Sequence, residues 1–156
     1  NGGEASVLGA ELTLATVFSL NASTTMPLSV SYTYTDAEFD QTFDSEFFGE
    51  VTKGDSLPYI PENQLSLSAG IDMGDLSITT LATFIDSMCT VGDGCTEKTY
   101  KQTNVDLVAN YEVSDDLSFY TRVDNITDEV DIVARQPKGA RPNRGRTASV
   151  GVRLSF

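Results

Sequence analysis

The sequence has no histidine, no tryptophan and few basic residues, and each shortage excludes a class of function. Without histidine, Ser-His-Asp and Cys-His nucleophile systems are excluded and the commonest metal ligand is missing, so we expect neither an enzyme nor a metal site. The chain has 10 Lys and Arg against 23 Asp and Glu, a net charge of -13, which argues against nucleic acid as a partner. No segment approaches the roughly 20 apolar residues of a transmembrane helix.

The sequence does contain a strict alternation of apolar and polar residues. In its last segment, Val150, Val152 and Phe156 share one side, and Gly151 and Arg153 share the other. A period of two with one apolar side predicts a β-strand with one dry face. The alternation recurs and predicts an all-β chain of about seven antiparallel strands, at 7–20, 28–35, 65–72, 76–84, 105–111, 117–123 and 147–156.

Short and long connections alternate between these strands. Short turns are predicted at 21–27, 73–74 and 113–115, and long polar loops at about 36–62, 86–102 and 126–145. Transmembrane β-barrels have this asymmetry, with tight periplasmic turns at one end and long extracellular loops at the other. We therefore predict membrane-spanning strands with Phe156 at the periplasmic end. A soluble all-β binding module is the alternative.

The short turns also fix the register of the strands that they join. A two-residue loop after Asp72 places Ile71 opposite Leu76, both on the apolar side. A three-residue loop in the other hairpin places Asp106 opposite Arg122 on the inward side, which predicts a lumenal ion pair. The alternative is two separately solvated side chains. Seven strands do not close a bacterial barrel, which has an even strand number, so we expect residues 1–156 to be part of something larger.

Several motifs resemble the barrel of TonB-dependent outer-membrane receptors. The segments most similar to the C-terminal end of that family are FYTRVDNITDE at 119–129, VARQPKGARP at 133–142 and the strand to Phe156. Upstream, YTYTDAEF at 32–39 and GDSLPYIPENQ at 54–64 are similar to the branch that includes ferric-citrate-type receptors. The resemblance extends over nearly the whole chain.

The resemblance implies a 22-stranded barrel filled by an N-terminal plug, of which residues 1–156 would supply the last strands. The implied partners are the plug and remaining strands, the TonB complex, a ferric chelate such as a siderophore or ferric citrate, and outer-membrane lipid with lipopolysaccharide. It implies no cofactor and a location in the bacterial outer membrane. A passive porin or structural barrel is the alternative within the same membrane.

Two loops contain residues with chemistry suited to ligands or cross-links. Anionic ferric chelates are suited to guanidinium groups, so we predict that the last loop contributes to ligand capture through Arg135, Lys138, Arg141 and Arg144. Pairing of these cations with acidic neighbours or lipopolysaccharide is the alternative. Since thiols are oxidised outside the cytoplasm, Cys89 and Cys95 are predicted to form a disulfide.

The loop at 36–62 is rich in carboxylates, with Lys53 as its single basic residue. Carboxylate oxygens suit calcium, but their spacing fits no known calcium loop, so a solvated loop is the favoured interpretation. Asn125-Ile126-Thr127 fits the glycosylation pattern, which we interpret as a chance match.

Overall fold

The computed structural model describes residues 3–135 and 139–156, and its main element is one seven-stranded antiparallel sheet. In chain order the strands are β1 (Ala5–Asn21), β2 (Thr24–Phe39), β3 (Phe43–Ser45), β4 (Gly49–Val51), β5 (Asn63–Met73), β6 (Leu76–Ile85), β7 (Gln102–Ser114), β8 (Leu117–Asp124), β9 (Ile132–Ala134), β10 (Arg141–Pro142) and β11 (Thr147–Leu154). The strands of the large sheet lie in the order β1-β2-β5-β6-β7-β8-β11, so the predicted all-β chain of seven antiparallel strands is confirmed. β3 pairs with β4, and β9 with β10, as small hairpins inside two of the long loops.

The register keeps like residues together on the two sides of the sheet. We call one side the apolar face; it includes Leu14, Val30, Leu67, Ala82, Val105 and Val150. The other is the polar face; it includes Thr13, Ser31, Ser66, Thr83, Asn104 and Ser149. Among the described residues, the buried apolar side chains are Ala37, Phe39 and Val51, which all lie at the long-loop end. Away from that end, the described strands of the large sheet have no buried apolar side chain.

The β5–β6 turn differs by one residue from its prediction. Met73 pairs with Leu76 and Ile71 pairs with Ile78, so the predicted pairing of Ile71 with Leu76 is wrong. The two loop residues are therefore Gly74 and Asp75. Gly74 has a φ of 57°, the left-handed conformation that such turns require and that glycine adopts freely. The shift lengthens β5 and β6 at the turn, and the apolar residues of both strands stay on the same side of the sheet.

The β7–β8 turn differs by two residues. Glu112 pairs with Ser118 and Val108 with Arg122, so the predicted pairing of Arg122 directly opposite Asp106 is wrong. A register shift between Glu112 and Ser114 leaves one extra residue on β7. A bulge of this kind cannot be inferred from alternation, because it moves the register while each strand keeps its own pattern.

The first turn is tighter than the predicted 21–27, since β1 ends at Asn21 and β2 begins at Thr24. Pro27 thus lies inside a strand, paired with Val17 of β1. On its other side the ladder with β5 runs from Thr25 directly to Leu28, as expected where a residue lacks an N–H. A Cβ at Gly70 would lie 3.0 Å from Cγ of Pro27, so the glycine makes room for the ring.

The last strand ends at Leu154, two residues before Phe156. The Ser155 N–H still donates to the carbonyl of Asp116 at 2.9 Å, but β8 begins at Leu117 and offers no further partner. β1 and β11 pair on one side only, so the sheet is open; the total of 22 strands stays a prediction. In the described part of the chain, no helix has the length and apolarity to cross a membrane.

Candidate ligand-facing site in the packed loops

The three long connections pack against one another at one end of the sheet. We call them the first loop (40–62), the second loop (86–101) and the third loop (125–146). A hydrogen bond joins each pair of loops. The bonds are Gly92 N–H to Phe48 O (2.8 Å) between the first and second, Tyr100 N–H to Ile132 O (2.8 Å) between the second and third, and Arg135 N–H to the Tyr59 hydroxyl (3.1 Å) between the third and first. The loops therefore form one cap.

An apolar cluster fixes the first loop to the second. The ring of Phe39 packs edge-on against Phe43, with centroids 5.4 Å apart, and at a tilt against Phe48, with centroids 5.9 Å apart. Val51 beside them is fully buried. Gly92 of the second loop fits into this cluster, where a Cβ would lie 2.9 Å from Cγ2 of Val51. The contact requires a glycine at that position.

The second loop is held in shape by a disulfide and by buried threonines. Cys89 and Cys95 are joined, with their Cα atoms 4.9 Å apart. Below the bridge, Thr99 is buried and its hydroxyl accepts the Met88 N–H at 2.9 Å. Thr90 is also buried, and its N–H donates to the Glu97 carbonyl at 2.9 Å. These bonds satisfy backbone groups that would otherwise be buried without partners.

Asn125 organises the third loop. Its side chain is almost completely buried, at 2% exposure. The amide nitrogen donates to the carbonyls of Glu129 (2.8 Å) and Arg144 (2.9 Å), while the amide oxygen accepts from the Glu129 N–H and the Thr127 hydroxyl, both at 3.2 Å. Its φ of 51° is a left-handed conformation that asparagine tolerates well. One side chain thus joins both ends of the loop.

Directly below Asn125, the polar face carries a charged cluster. Oδ1 of Asp106 accepts from Asn104 Nδ2 (2.7 Å) and from the Asn125 N–H (2.9 Å), and its Oδ2 lies 3.7 Å from Nη2 of Arg122. Arg122 Nε also contacts Oδ1 of Asp124 at 2.5 Å. Arg122 reaches Asp106 diagonally, across the register that separates them. Because the Asp106 carboxylate accepts the Asn125 N–H, this cluster connects strand β7 of the sheet to the cap of three loops.

A polar cavity of about 420 Å³ opens between the second and third loops. It is lined by Val91, Asp93, Thr96, Glu97, Arg135, Gly139 and Ala140. The Arg135 Nε donates to the Lys98 carbonyl at 2.8 Å, which fixes the guanidinium beside the cavity. Thr96 donates to Oδ1 of Asp93 at 2.6 Å. With two carboxylates and one guanidinium, the cavity is suited to polar groups of mixed charge.

The structure does not gather the other predicted cations into this cavity. Arg141 belongs to β10, opposite Ala134 of β9, and its side chain is exposed. Arg144 is exposed and its carbonyl accepts from the Asn125 amide. Lys138 lies outside the described residues.

The carboxylates of the first loop are dispersed. The Asp55 carboxylate accepts the Thr52 N–H at 2.7 Å and so closes a local turn, and Asp40 accepts from Ser6 at 3.2 Å. In residues 3–135 and 139–156, no group of three or more His, Cys, Asp or Glu side chains is close enough to hold a metal ion.

The sequence of this chain matches a known protein family. The family model described as "TonB dependent receptor-like, beta-barrel" matches residues 1–126. The chain belongs to the TonB-dependent receptor β-barrel family. No curated protein sequence matches it.

Solved structures agree with the TonB-dependent receptor fold. The siderophore receptor PiuA from Acinetobacter baumannii matches with a TM-score of 0.80 and 23% identity, covering 97% of this chain and 22% of PiuA. The copper transporter OprC matches at 0.67 and 18%, covering 97% and 24%. The ferric-catecholate import receptor Fiu from K12 E. coli matches at 0.66 and 18%, covering 96% and 28%.

The receptor segment therefore spans about a quarter of the length of these structures. The family and these structural relatives are receptors and transporters, not enzymes. Members of the family are outer-membrane proteins. The ferric-citrate branch is not distinguished by these matches.

The structure also gives a role to residues of this receptor segment that the sequence left unexplained. Asn125 lies in a glycosylation pattern, but both of its amide hydrogens are donated and its side chain is buried in the folded chain. On the polar face, Gly151 lies opposite Tyr120, whose ring occupies the space where a Cβ would be. Alternation alone places these residues on a face but does not show their contacts.

Proposed function

We propose that the chain forms part of the barrel wall of an outer-membrane receptor that takes up a ferric chelate, with energy supplied through TonB. The observation that carries the proposal is the family match over residues 1–126. Two structural relatives are named for a siderophore and for a ferric catecholate, which supports this class of ligand. The plug, the remaining strands and the contact with TonB would belong to parts of the receptor outside residues 1–156.

In this proposal the long-loop end faces outward and Phe156 lies at the periplasmic end. The polar face lines the lumen and the apolar face meets lipid, as in other transmembrane barrels. The packing of the three loops supports the assignment, because an outer cap must hold its shape without a covering domain. The charged cluster at Asp106 and Arg122 would then lie in the lumen below that cap.

We propose that the third loop contributes to ligand capture through Arg135, Lys138, Arg141 and Arg144. The guanidinium groups of Arg141 and Arg144 have no hydrogen bond or ion pair with other described residues, and both side chains are exposed. Arginine in this state is available for bidentate contact with a carboxylate chelator. Ferric citrate is the first ligand to test, because 32–39 and 54–64 resemble the ferric-citrate-type branch.

Uptake tests the function. A strain that carries the intact receptor should grow on a ferric chelate as its sole iron source, and growth should be lost when either the receptor gene or TonB is removed. Uptake that continues without TonB would support the passive-pore alternative. Because one structural relative is a copper transporter, copper accumulation is the second measurement. TonB-dependent uptake of copper without uptake of iron would identify copper, and not iron, as the transported metal.

Affinity tests the site. The Arg141→Ala/Arg144→Ala double variant of the intact receptor should bind ferric citrate about tenfold more weakly, the effect of losing one charged hydrogen bond. Lys53→Ala, an exposed cation of the first loop, is the matched control and should bind normally. Unchanged affinity in the double variant would remove the arginines from the site while leaving the receptor function intact.

A further inference from the structure

The polar cavity between the second and third loops contains charges of both signs that do not pair with each other. Asp93 and Glu97 line it from the second loop, and Arg135 lines it from the third. In residues 3–135 and 139–156, none of these three side chains forms an ion pair. Opposite charges attract strongly in a partly buried space, so the two loops must hold them apart. The cavity therefore offers unpaired groups of both signs to a ligand.

The guanidinium of Arg135 is held in place by the other two loops. The Arg135 N–H donates to the Tyr59 hydroxyl at 3.1 Å, and its Nε donates to the Lys98 carbonyl at 2.8 Å. In the described part of the chain, the two Nη atoms of Arg135 have no hydrogen-bond partner. A guanidinium fixed at Nε presents both Nη atoms together, which is a suitable arrangement for the two oxygens of one carboxylate.

Tyr59 is itself held in an uncommon backbone conformation. Its φ is 62°, a left-handed value that is rare for a bulky residue and persists where the surrounding contacts determine it. Its N–H donates to the Cys89 carbonyl of the second loop at 2.9 Å. Backbone of this kind is concentrated at functional sites. All three loops thus take part in positioning Arg135.

The second loop supplies the acidic wall of the cavity. Asp93 is half-buried, and its Oδ1 accepts the Thr96 hydroxyl at 2.6 Å, which fixes the carboxylate. Glu97 is exposed, so its side chain is accessible to a ligand. The other lining residues are small or apolar, namely Val91, Gly139 and Ala140. A ligand that fits this lining has an apolar chain between its charged ends.

Size and charge then select one class of ligand. The volume of about 420 Å³ lies within the range of about 300–1,000 Å³ that is usual for small-molecule sites. A ligand with two carboxylates would meet like charge at Asp93 and Glu97, and a ligand with two amines would meet like charge at Arg135. A ligand with one group of each sign pairs with both walls.

We propose that this cavity binds a zwitterionic ligand, or a zwitterionic arm of a larger one. The ligand carboxylate pairs with the Nη atoms of Arg135, and its ammonium group donates to the carboxylates of Asp93 and Glu97. The site deepens the proposed function and rests on it, because the three loops must face outward to meet a ligand. In that receptor it narrows the ferric chelate to one that carries an amino group as well as carboxylates.

Three probes with the same five-carbon chain test the charge preference, by titration calorimetry on the intact receptor. They are δ-aminovalerate with one group of each sign, glutarate with two carboxylates and cadaverine with two amines. We expect δ-aminovalerate to bind about tenfold more tightly than the other two, since each of those loses one charged hydrogen bond.

Two variants show which wall reads which charge. Glu97→Gln should weaken δ-aminovalerate and strengthen glutarate, because it removes a negative charge from the cavity. Arg135→Gln should weaken δ-aminovalerate and strengthen cadaverine. A loop that merely lost its shape would weaken every probe. Glu46→Gln, which removes an exposed carboxylate of the first loop outside the lining, is the matched control and should change none of them.

Three results would overturn the proposal. Equal binding of glutarate and δ-aminovalerate would indicate a simple anion site, and no binding of any probe would exclude the site. The third is a Glu97→Gln variant with the same preference as wild type. Uptake separates this site from the proposed function. TonB-dependent uptake of a ferric chelate without any preference for the zwitterion would remove the site alone, whereas zwitterion binding without such uptake would refute the function and leave the site standing.

Discussion

Replacing Asn125 by aspartate should loosen the third loop while the sheet stays intact. The substitution keeps the size of the side chain and its accepting oxygen, but exchanges the NH2 group for an oxygen. That group donates to the carbonyls of Glu129 and Arg144 at 2.8 and 2.9 Å. Two hydrogen bonds at about 1 kcal/mol each are lost and the new carboxylate oxygen faces two carbonyl oxygens, so the loop should open more easily by at least about 2 kcal/mol. That is roughly a 30-fold change in the opening equilibrium.

Hydrogen exchange followed by mass spectrometry measures this directly in the intact receptor. Amides in 125–146 should exchange roughly 30-fold faster in Asn125→Asp, because local opening controls their protection. The amides of β7 should be unchanged. Asn143→Asp is the matched control in the same loop, since among the described residues the Asn143 amide group donates one bond, of 3.3 Å, to the Glu129 carbonyl. If Asn125→Asp exchanges no faster than Asn143→Asp, Asn125 does not organise the loop.

Three further predictions concern the disulfide, the polar face of the sheet and the ion pair between Asp86 and Lys101. Cys89→Ser/Cys95→Ser should raise hydrogen exchange in 86–101, since closing a loop this short is worth roughly 2 kcal/mol, and unchanged exchange would show that the bridge does not order the loop. Gly151→Val should destabilise the intact barrel to urea by about 1–3 kcal/mol through its clash with Tyr120; an equal loss in a Tyr120→Ala background would exclude that clash as the cause. The pKa of Asp86 is lowered from 3.8, chiefly by the hydrogen bond from Lys101, so the stabilisation from this pair is present above pH 3.8 and is lost as pH falls through the lower folded pKa. In Lys101→Gln the Asp86 carboxyl should titrate nearer 3.8 by carbon NMR, and an unchanged midpoint would refute the assignment.

The sequence predicts the strands of this fold well, because alternation follows directly from which face of each strand meets which environment. It predicts the ends of strands less well. The register at β7–β8 depends on one extra residue near Val113, and a bulge leaves the pattern of each strand intact. The sequence predicts a turn that extends to Pro27, but Pro27 lies inside β2. A strand tolerates proline at a position where no hydrogen bond from its nitrogen is needed, and the missing side chain of Gly70 leaves room for the ring.

The candidate site was less accessible from the sequence, because its contacts are between loops. Composition identified the cations of the third loop, but it did not show that Arg135 is held by the Lys98 carbonyl while Arg141 lies elsewhere on the loop. The insertion of Gly92 beside Val51 depends on two loops with 40 intervening positions. Contacts of this kind leave no periodic signal, since each depends on the detailed path of irregular backbone.

Labelling in intact cells tests the central claim most directly, which is that this chain is a membrane wall with its long loops outside. Single cysteines at Lys53, in the first loop, and at Ser23, in the β1–β2 turn, would be introduced into the full receptor with Cys89 and Cys95 replaced by serine. A membrane-impermeant maleimide should label position 53 in intact cells, and position 23 only after the outer membrane is opened. Labelling of position 23 but not 53 in intact cells would contradict the orientation, and equal labelling of both in a water-soluble protein would contradict the membrane wall itself.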